Sequence, residues 1–305
     1  MITLIFGAGA SYGSGMTHPY NPPLGNRLFE KLVSLNGAFS NIPESARRIF
    51  ENDGFEDGMA TISNDSRVIN QLQKEIACYL SKFQVTSNNA YSRLFKKIRH
   101  AMPNINIVTL NYDIMIEQAL SLNGYATDYN DSGKGVTLLK PHGSSNFLPR
   151  IPNGCTFNNV VAVDCTTFFE GLETTAVSTC AEVKHWCDNP QNNSLSPVLC
   201  MYEKGKRAVI NSGLIGDIQN KYKNVISNSN LVILVGIKYI KHDSHIWQPL
   251  EDSNASLLIV DPYPQETIEW VNRVGKTNVQ VIPSGFNDSV WKIAKLIRLH
   301  ANSPT

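Results

Sequence analysis

Residues 1–15 read MITLIFGAGASYGSG. The apolar run Ile2 to Phe6 stops at Gly7-Ala8-Gly9-Ala10-Ser11, and helical apolar spacing begins only from Leu24. This pattern predicts a buried strand and then a glycine turn, because glycine tolerates positive φ and lets backbone amides approach a ligand. A helix after such a turn adds the positive end of its dipole, which suits a phosphate. The nearest pattern is the dinucleotide fingerprint G-x-G-x-x-G. Gly7 and Gly9 fit it, but Tyr12 occupies the third glycine position and Gly13 comes one residue late. The acid expected about 20 residues further on falls near Glu30, inside a predicted helix (Leu24, Leu28, Phe29, Leu32, Val33). A dehydrogenase reading is therefore weak, and a tight turn that binds nothing is the alternative.

Composition narrows the classes. With 305 residues the chain is long enough for one large α/β domain with insertions. A net charge of +1 argues against nucleic acid as the main partner, since phosphate backbones require a concentrated basic surface. The densest basic runs, Lys96-Lys97-Ile98-Arg99-His100 and Lys204-Gly205-Lys206-Arg207, are short and read as solvated faces. No targeting segment or bilayer-length apolar run is visible, so a cytoplasmic chain is expected. The six cysteines are irregularly spaced without a C-x-x-C pair, which predicts reduced, packed thiols and no zinc ribbon.

Further apolar runs follow at Ile105 to Thr109, Val136 to Leu139, Leu231 to Gly236, Leu257 to Val260 and Val279 to Ile282. Between the first two runs, residues 36–103 keep helical spacing and read as an insertion. Residues 148–228 read as a smaller insertion of short strands and loops, closed by a helix near Leu214 to Ile226. Together these predict a single domain over 1–305. Its fold is a Rossmann-like, doubly wound α/β architecture around a mainly parallel six-stranded sheet.

Polar residues cluster where these runs end, which is the edge where α/β proteins bind ligands. Asn111 and Asp113 follow the second run; the first also reads as a turn residue and the second as a helix cap. His142 stands between Pro141 and Gly143 after the third, an imidazole suited to base work near neutral pH unless it is structural. Asp261 ends the fifth and fits a ribose diol or a loop cap. His242, Asp243 and His245 invite a metal, but their spacing fits no standard site, so no metal is expected.

In combination, GAGAS (Gly7 to Ser11), TLNYD (Thr109 to Asp113), KPHGS (Lys140 to Ser144) and the runs ending at Gly236 and Asp261 resemble the sirtuin (silent-information-regulator-type) superfamily. The resemblance covers about half of the chain. It implies NAD+ as substrate, with Gly7, Ala8, Gly9, Ala10 and Ser11 at the pyrophosphate. Asn111 would orient the ribose and the attacking water, Asp113 would meet the carboxamide, His142 would be the base, and Gly236 and Asp261 would lie along the adenosine half. Pro22-Pro23-Leu24-Gly25 replaces the deacylase segment G-[IV]-P-D-F-R, Gly236-Ile237-Lys238 replaces G-T-S, and the zinc ribbon is missing. These departures point to the bacterial sirtuin-like branch that looks like the NAD+ hydrolases of anti-phage defence. That branch implies a homo-oligomer controlled by a sensor chain from the same operon, with no membrane and no direct nucleic-acid contact. A protein deacylase and a non-catalytic NAD- or ADP-ribose-binding subunit are the alternatives.

Overall fold

The computed structural model describes residues 1–62, 66–152, 169–200 and 210–301. Its centre is a seven-stranded parallel sheet made of β1 (Ile2–Phe6), β2 (Ile105–Thr109), β3 (Thr127–Asp128), β4 (Val136–Leu139), β5 (Leu231–Val235), β6 (Ser256–Val260) and β7 (Val279–Ile282), in the spatial order β7-β6-β5-β1-β2-β4-β3. The first strand is central, with Phe6 level with Thr109 on one side and Val235 on the other. All five of its residues are buried, as a strand covered on both faces requires.

Six strands are expected and seven are found among the described residues. The seventh, Thr127–Asp128, pairs with Val136 and Thr137 at the sheet edge. Two polar residues carry no apolar run, and the Asp128 carboxylate accepts from the amides of Asn130 and Ser132, so the local signal is that of a turn.

Alternation along β1 sorts the core. Ile2, Leu4 and Phe6 pack with the insertion helices, Met115–Leu122 and the closing helix Phe286–Ala301. Ile5 packs on the opposite face with the helices Ser212–Ser227, Ser244–Asp252 and Gln265–Arg273. Helices on both faces make the sheet doubly wound.

Phe39, Phe50 and Phe55 of the first insertion form an aromatic cluster with Phe29 of the preceding helix, Phe29 and Phe50 stacking at 4.4 Å. The helical reading there is interrupted by Gln84–Val85, which pairs with Thr17–His18. In the second insertion Phe147–Pro149 pairs with Thr174–Ala176, as expected of short strands. The helix Cys180–Asp188 departs from that expectation. Its start carries a capping box, Thr179 with Glu182, a signal present in the sequence. The basic run 204–207 lies outside the described residues.

Candidate functional site

The residues expected to hold or cleave a ligand lie just past the carboxyl end of a strand: Gly7 to Ser11 after β1, Asn111 and Asp113 after β2, His142 after β4, Gly236 after β5 and Asp261 after β6, whereas His242, Asp243 and His245 lie further along the segment that leaves β5. Parallel strands and their order put the turn, the asparagine loop and the histidine loop on three neighbouring positions of one edge.

The turn coils at once into a five-residue helix, Ala8–Tyr12, rather than leading to a distant one. Its glycines are explained by packing. The Gly7 amide donates to the Val235 carbonyl and the Gly9 amide to the Gly236 carbonyl, both at 3.0 Å. A Cβ on Gly7 or Gly9 would lie 2.6 or 2.9 Å from the Gly236 oxygen. At Gly236, whose φ is +62°, a Cβ would collide with the Ala10 nitrogen. Three glycines thus let two loops touch backbone to backbone. The Ala10 amide also donates internally, to the Gly7 carbonyl, and Ala8 is the exposed residue of the turn.

Ser11 is the hub beneath the turn. Its hydroxyl donates to Asp113 Oδ2 at 2.8 Å and accepts from Asn111 Nδ2 at 2.9 Å. With that hydrogen committed, the Tyr91 hydroxyl donates to it at 3.0 Å. The second Asn111 Nδ2 hydrogen goes to the Gly7 carbonyl, also at 2.9 Å. Both amide hydrogens of Asn111 therefore hold the turn, which leaves Oδ1 as the atom of its side chain not used for that purpose.

Asp113 is buried, and its second oxygen accepts from the Met115 amide that opens the following helix. Burial raises its carboxyl above the usual range, opposed by the Lys140 ammonium. That ammonium is fully buried, donating to the Asp113 carbonyl at 2.7 Å and to Glu117 at 2.8 Å. Burial, helped by the Asp113 charge, likewise lifts the Tyr91 phenol well above its ordinary value.

His142 sits in a rigid loop. Its carbonyl accepts from the Cys200 amide, and Gly143 at φ +79° has no room for a Cβ against the Val198 carbonyl. Its Nε2 lies 3.0 Å from Nε2 of His245. The segment from Gly236 to His245 thus leaves β5 against the glycine turn and reaches the loop of β4, three strand positions away. At about 4.8 Å per strand that is roughly 14 Å. Asp261 stands apart on the other flank, with Oδ1 accepting from the Tyr263 amide and burial raising its carboxyl.

Sequence reasoning missed Tyr91 and Asn89, which enter from the first insertion. Asn89 donates to Ser14 at 2.9 Å while capping the helix that carries Tyr91. The cap signal at Asn89 is readable, but its contact across 75 residues is not. His245 was grouped with His242, its neighbour in sequence, whereas its partner in space is His142.

The fold and this edge define a doubly wound α/β protein with a polar site across its central strands. No family model and no curated protein matches the chain. Among solved structures, a mutant Sir2 homologue in complex with ADP-ribose matches over 100% of this chain and 94% of its own, at 12% identity and a TM-score of 0.53. A Sir2 homologue in complex with NAD matches over 98% and 90%, at 12% identity and a TM-score of 0.48. The chain has the fold of Sir2 homologues. Among the described residues, no helix is long and apolar enough to cross a membrane.

Proposed function

We propose that this chain binds NAD+ and hydrolyses its nicotinamide glycosidic bond, releasing nicotinamide and ADP-ribose. The observation that carries the reading is the convergence of the glycine turn, Asn111 and His142 on neighbouring strand ends. The fold is shared with a Sir2 homologue solved with ADP-ribose, the product of this cleavage.

In this reading the pyrophosphate rides on the face of the turn that exposes Ala8. Asn111 offers Oδ1 to the ribose or the attacking water while its nitrogen fixes the turn. As water attacks the anomeric carbon, the glycosidic electrons leave with nicotinamide, which departs neutral, and the water's proton passes to His142. Nicotinamide needs no acid to leave, so positioning and charge stabilisation dominate the barrier. Asp113 holds Ser11 through Oδ2 and the Met115 amide through Oδ1, and the acceptor capacity left on these oxygens would meet the carboxamide. Asp261 is two strands from the turn and suits the adenosine ribose. The sequence resemblance supports a further step, in which a homo-oligomer acts as effector of bacterial anti-phage defence under a sensor chain.

Chromatography of NAD+ incubated with the full chain, alone and with its operon neighbours, tests the reading. Nicotinamide should form, and Asn111→Ala and His142→Ala should each abolish it. Strict dependence on an acylated peptide, or tight binding without turnover even in the complex, would replace it with a deacylase or a regulatory subunit.

A further inference from the structure

We propose that His142, Asp243 and His245 form a binding site for a first-row divalent metal ion of the zinc and cobalt class. One donor atom from each lies within 4.8 Å of the others. The two imidazole Nε2 atoms are 3.0 Å apart. Ligands about 2.1 Å from one metal, at angles between octahedral and tetrahedral, stand roughly 3.0–3.4 Å apart. The imidazoles therefore already have the spacing of two ligands on one ion.

The donor set selects the metal. Two imidazoles and one carboxylate suit zinc, cobalt, nickel or iron(II), whereas magnesium and calcium prefer all-oxygen shells. Burial favours an ion as well: Asp243 is 3% and His142 5% exposed, and a carboxylate removed from water is stabilised by a nearby cation. The ligands are also held by their backbones. His142 is fixed through the Cys200 amide, and the Asp243 carbonyl accepts from Ile246 and Trp247 at 2.9 and 3.0 Å. A site fixed in advance loses little entropy on binding.

His242, the neighbour that a sequence pattern would select, is exposed and outside the cluster. Three protein ligands leave at least one coordination position open, as in sites where an ion meets water or substrate. The site rests on the side-chain cluster alone and not on NAD+ cleavage. An ion on these nitrogens takes the lone pair that His142 would use as base, so cleavage belongs to the metal-free chain. Metal binding with intact NAD+ would keep the site, and cleavage without metal binding would leave the proposed activity standing.

The test is cobalt(II) titration of the chelator-stripped full chain, followed by the visible d–d bands, with zinc calorimetry in parallel. One equivalent should bind, and X-ray absorption of the zinc-loaded protein should show two imidazole ligands. Outer partners alone are worth about 10- to 100-fold in metal affinity. Loss of a direct ligand in His245→Ala or Asp243→Asn should therefore weaken zinc by more than about 100-fold. His242→Ala should bind as the unmodified chain does. Absence of a saturable band, a zinc shell without imidazole, or unchanged affinity in a folded His245→Ala would overturn the site. The X-ray absorption measurement needs no variant and decides the question even if every substitution unfolds the chain.

Discussion

The two sides of the site are built on different terms. Around Ser11, each hydrogen of the Asn111 amide and each oxygen of Asp113 has a protein partner, and Tyr91 closes the hydroxyl's shell. Around His142, two imidazoles meet through their Nε2 atoms at 3.0 Å, and in the metal-free chain one of these nitrogens donates to the other. The first side is a fixed frame, and in the proposed cleavage the second is where the proton goes. The contrast teaches that the asparagine and the histidine, similar as polar residues at strand ends, should fail differently when removed.

The largest expected effect separates them directly. His142→Ala should lower NAD+ turnover by about 10²- to 10⁴-fold, the usual worth of a positioned base, and lower stability less than the asparagine change does. Asn111→Ala should remove turnover too, but it takes one donor from the Gly7 carbonyl and one from the Ser11 hydroxyl, and the loss of two hydrogen bonds should destabilise the chain by about 1–3 kcal/mol. Paired kinetics and chemical denaturation read both, and equal stability losses would erase the distinction.

Next is the clasp behind the frame. Gly236→Ala places a Cβ against the Ala10 nitrogen at a left-handed φ, and such strain with overpacking should cost about 3 kcal/mol in denaturation. A Gly236→Ala chain as stable as its parent would mean the loops are free to separate.

A smaller loss is expected at the hub. Ser11→Ala should cost about 1–3 kcal/mol, because the Asp113 carboxylate loses a donor and the Asn111 amide an acceptor. If the variant melted as the parent does, Ser11 would be incidental to the frame.

The smallest effect is a pH dependence. Burial raises the Asp113 carboxyl above its ordinary 3.8, so the folded chain holds this proton after the unfolded chain has released it. The sign follows: this group withdraws stability as pH rises from about 4 through its folded value. Asp113→Asn never ionises. Its melting temperature relative to the parent should therefore climb over that window and then level, as followed by thermal melts in a pH series. A difference that shrinks with rising pH would mean that Lys140, and not burial, governs the carboxyl.

Much of the fold was legible because the strands β1, β2, β4, β5 and β6 are short runs dominated by apolar residues, each followed within two residues by a glycine or a polar side chain. The seventh strand, Thr127–Asp128, has no such run, being a two-residue edge beside β4. The positions Ser11, Asn111 and His142 were legible for the same reason as the strands: the topology places whatever follows a strand at one edge. Their connections were not. The bonds of Ser11 to Tyr91 and Asn111 span 80 and 100 residues, and that of His142 to His245 spans 103. No local pattern records such pairings, so Gly7 and Gly9 looked like phosphate glycines when their immediate task is to admit Gly236.

Tyr91 makes the helical insertion part of the site's frame. Its ring packs on Phe6 at 5.1 Å and its hydroxyl enters the Ser11 network, while Asn89 two residues earlier grips the same loop. An insertion anchored in this way is not an exchangeable ornament. A chain in which a domain of another design replaced it would lose the phenol at Ser11 and the Asn89 grip together, so the insertion and the sheet edge stand or fall as one unit.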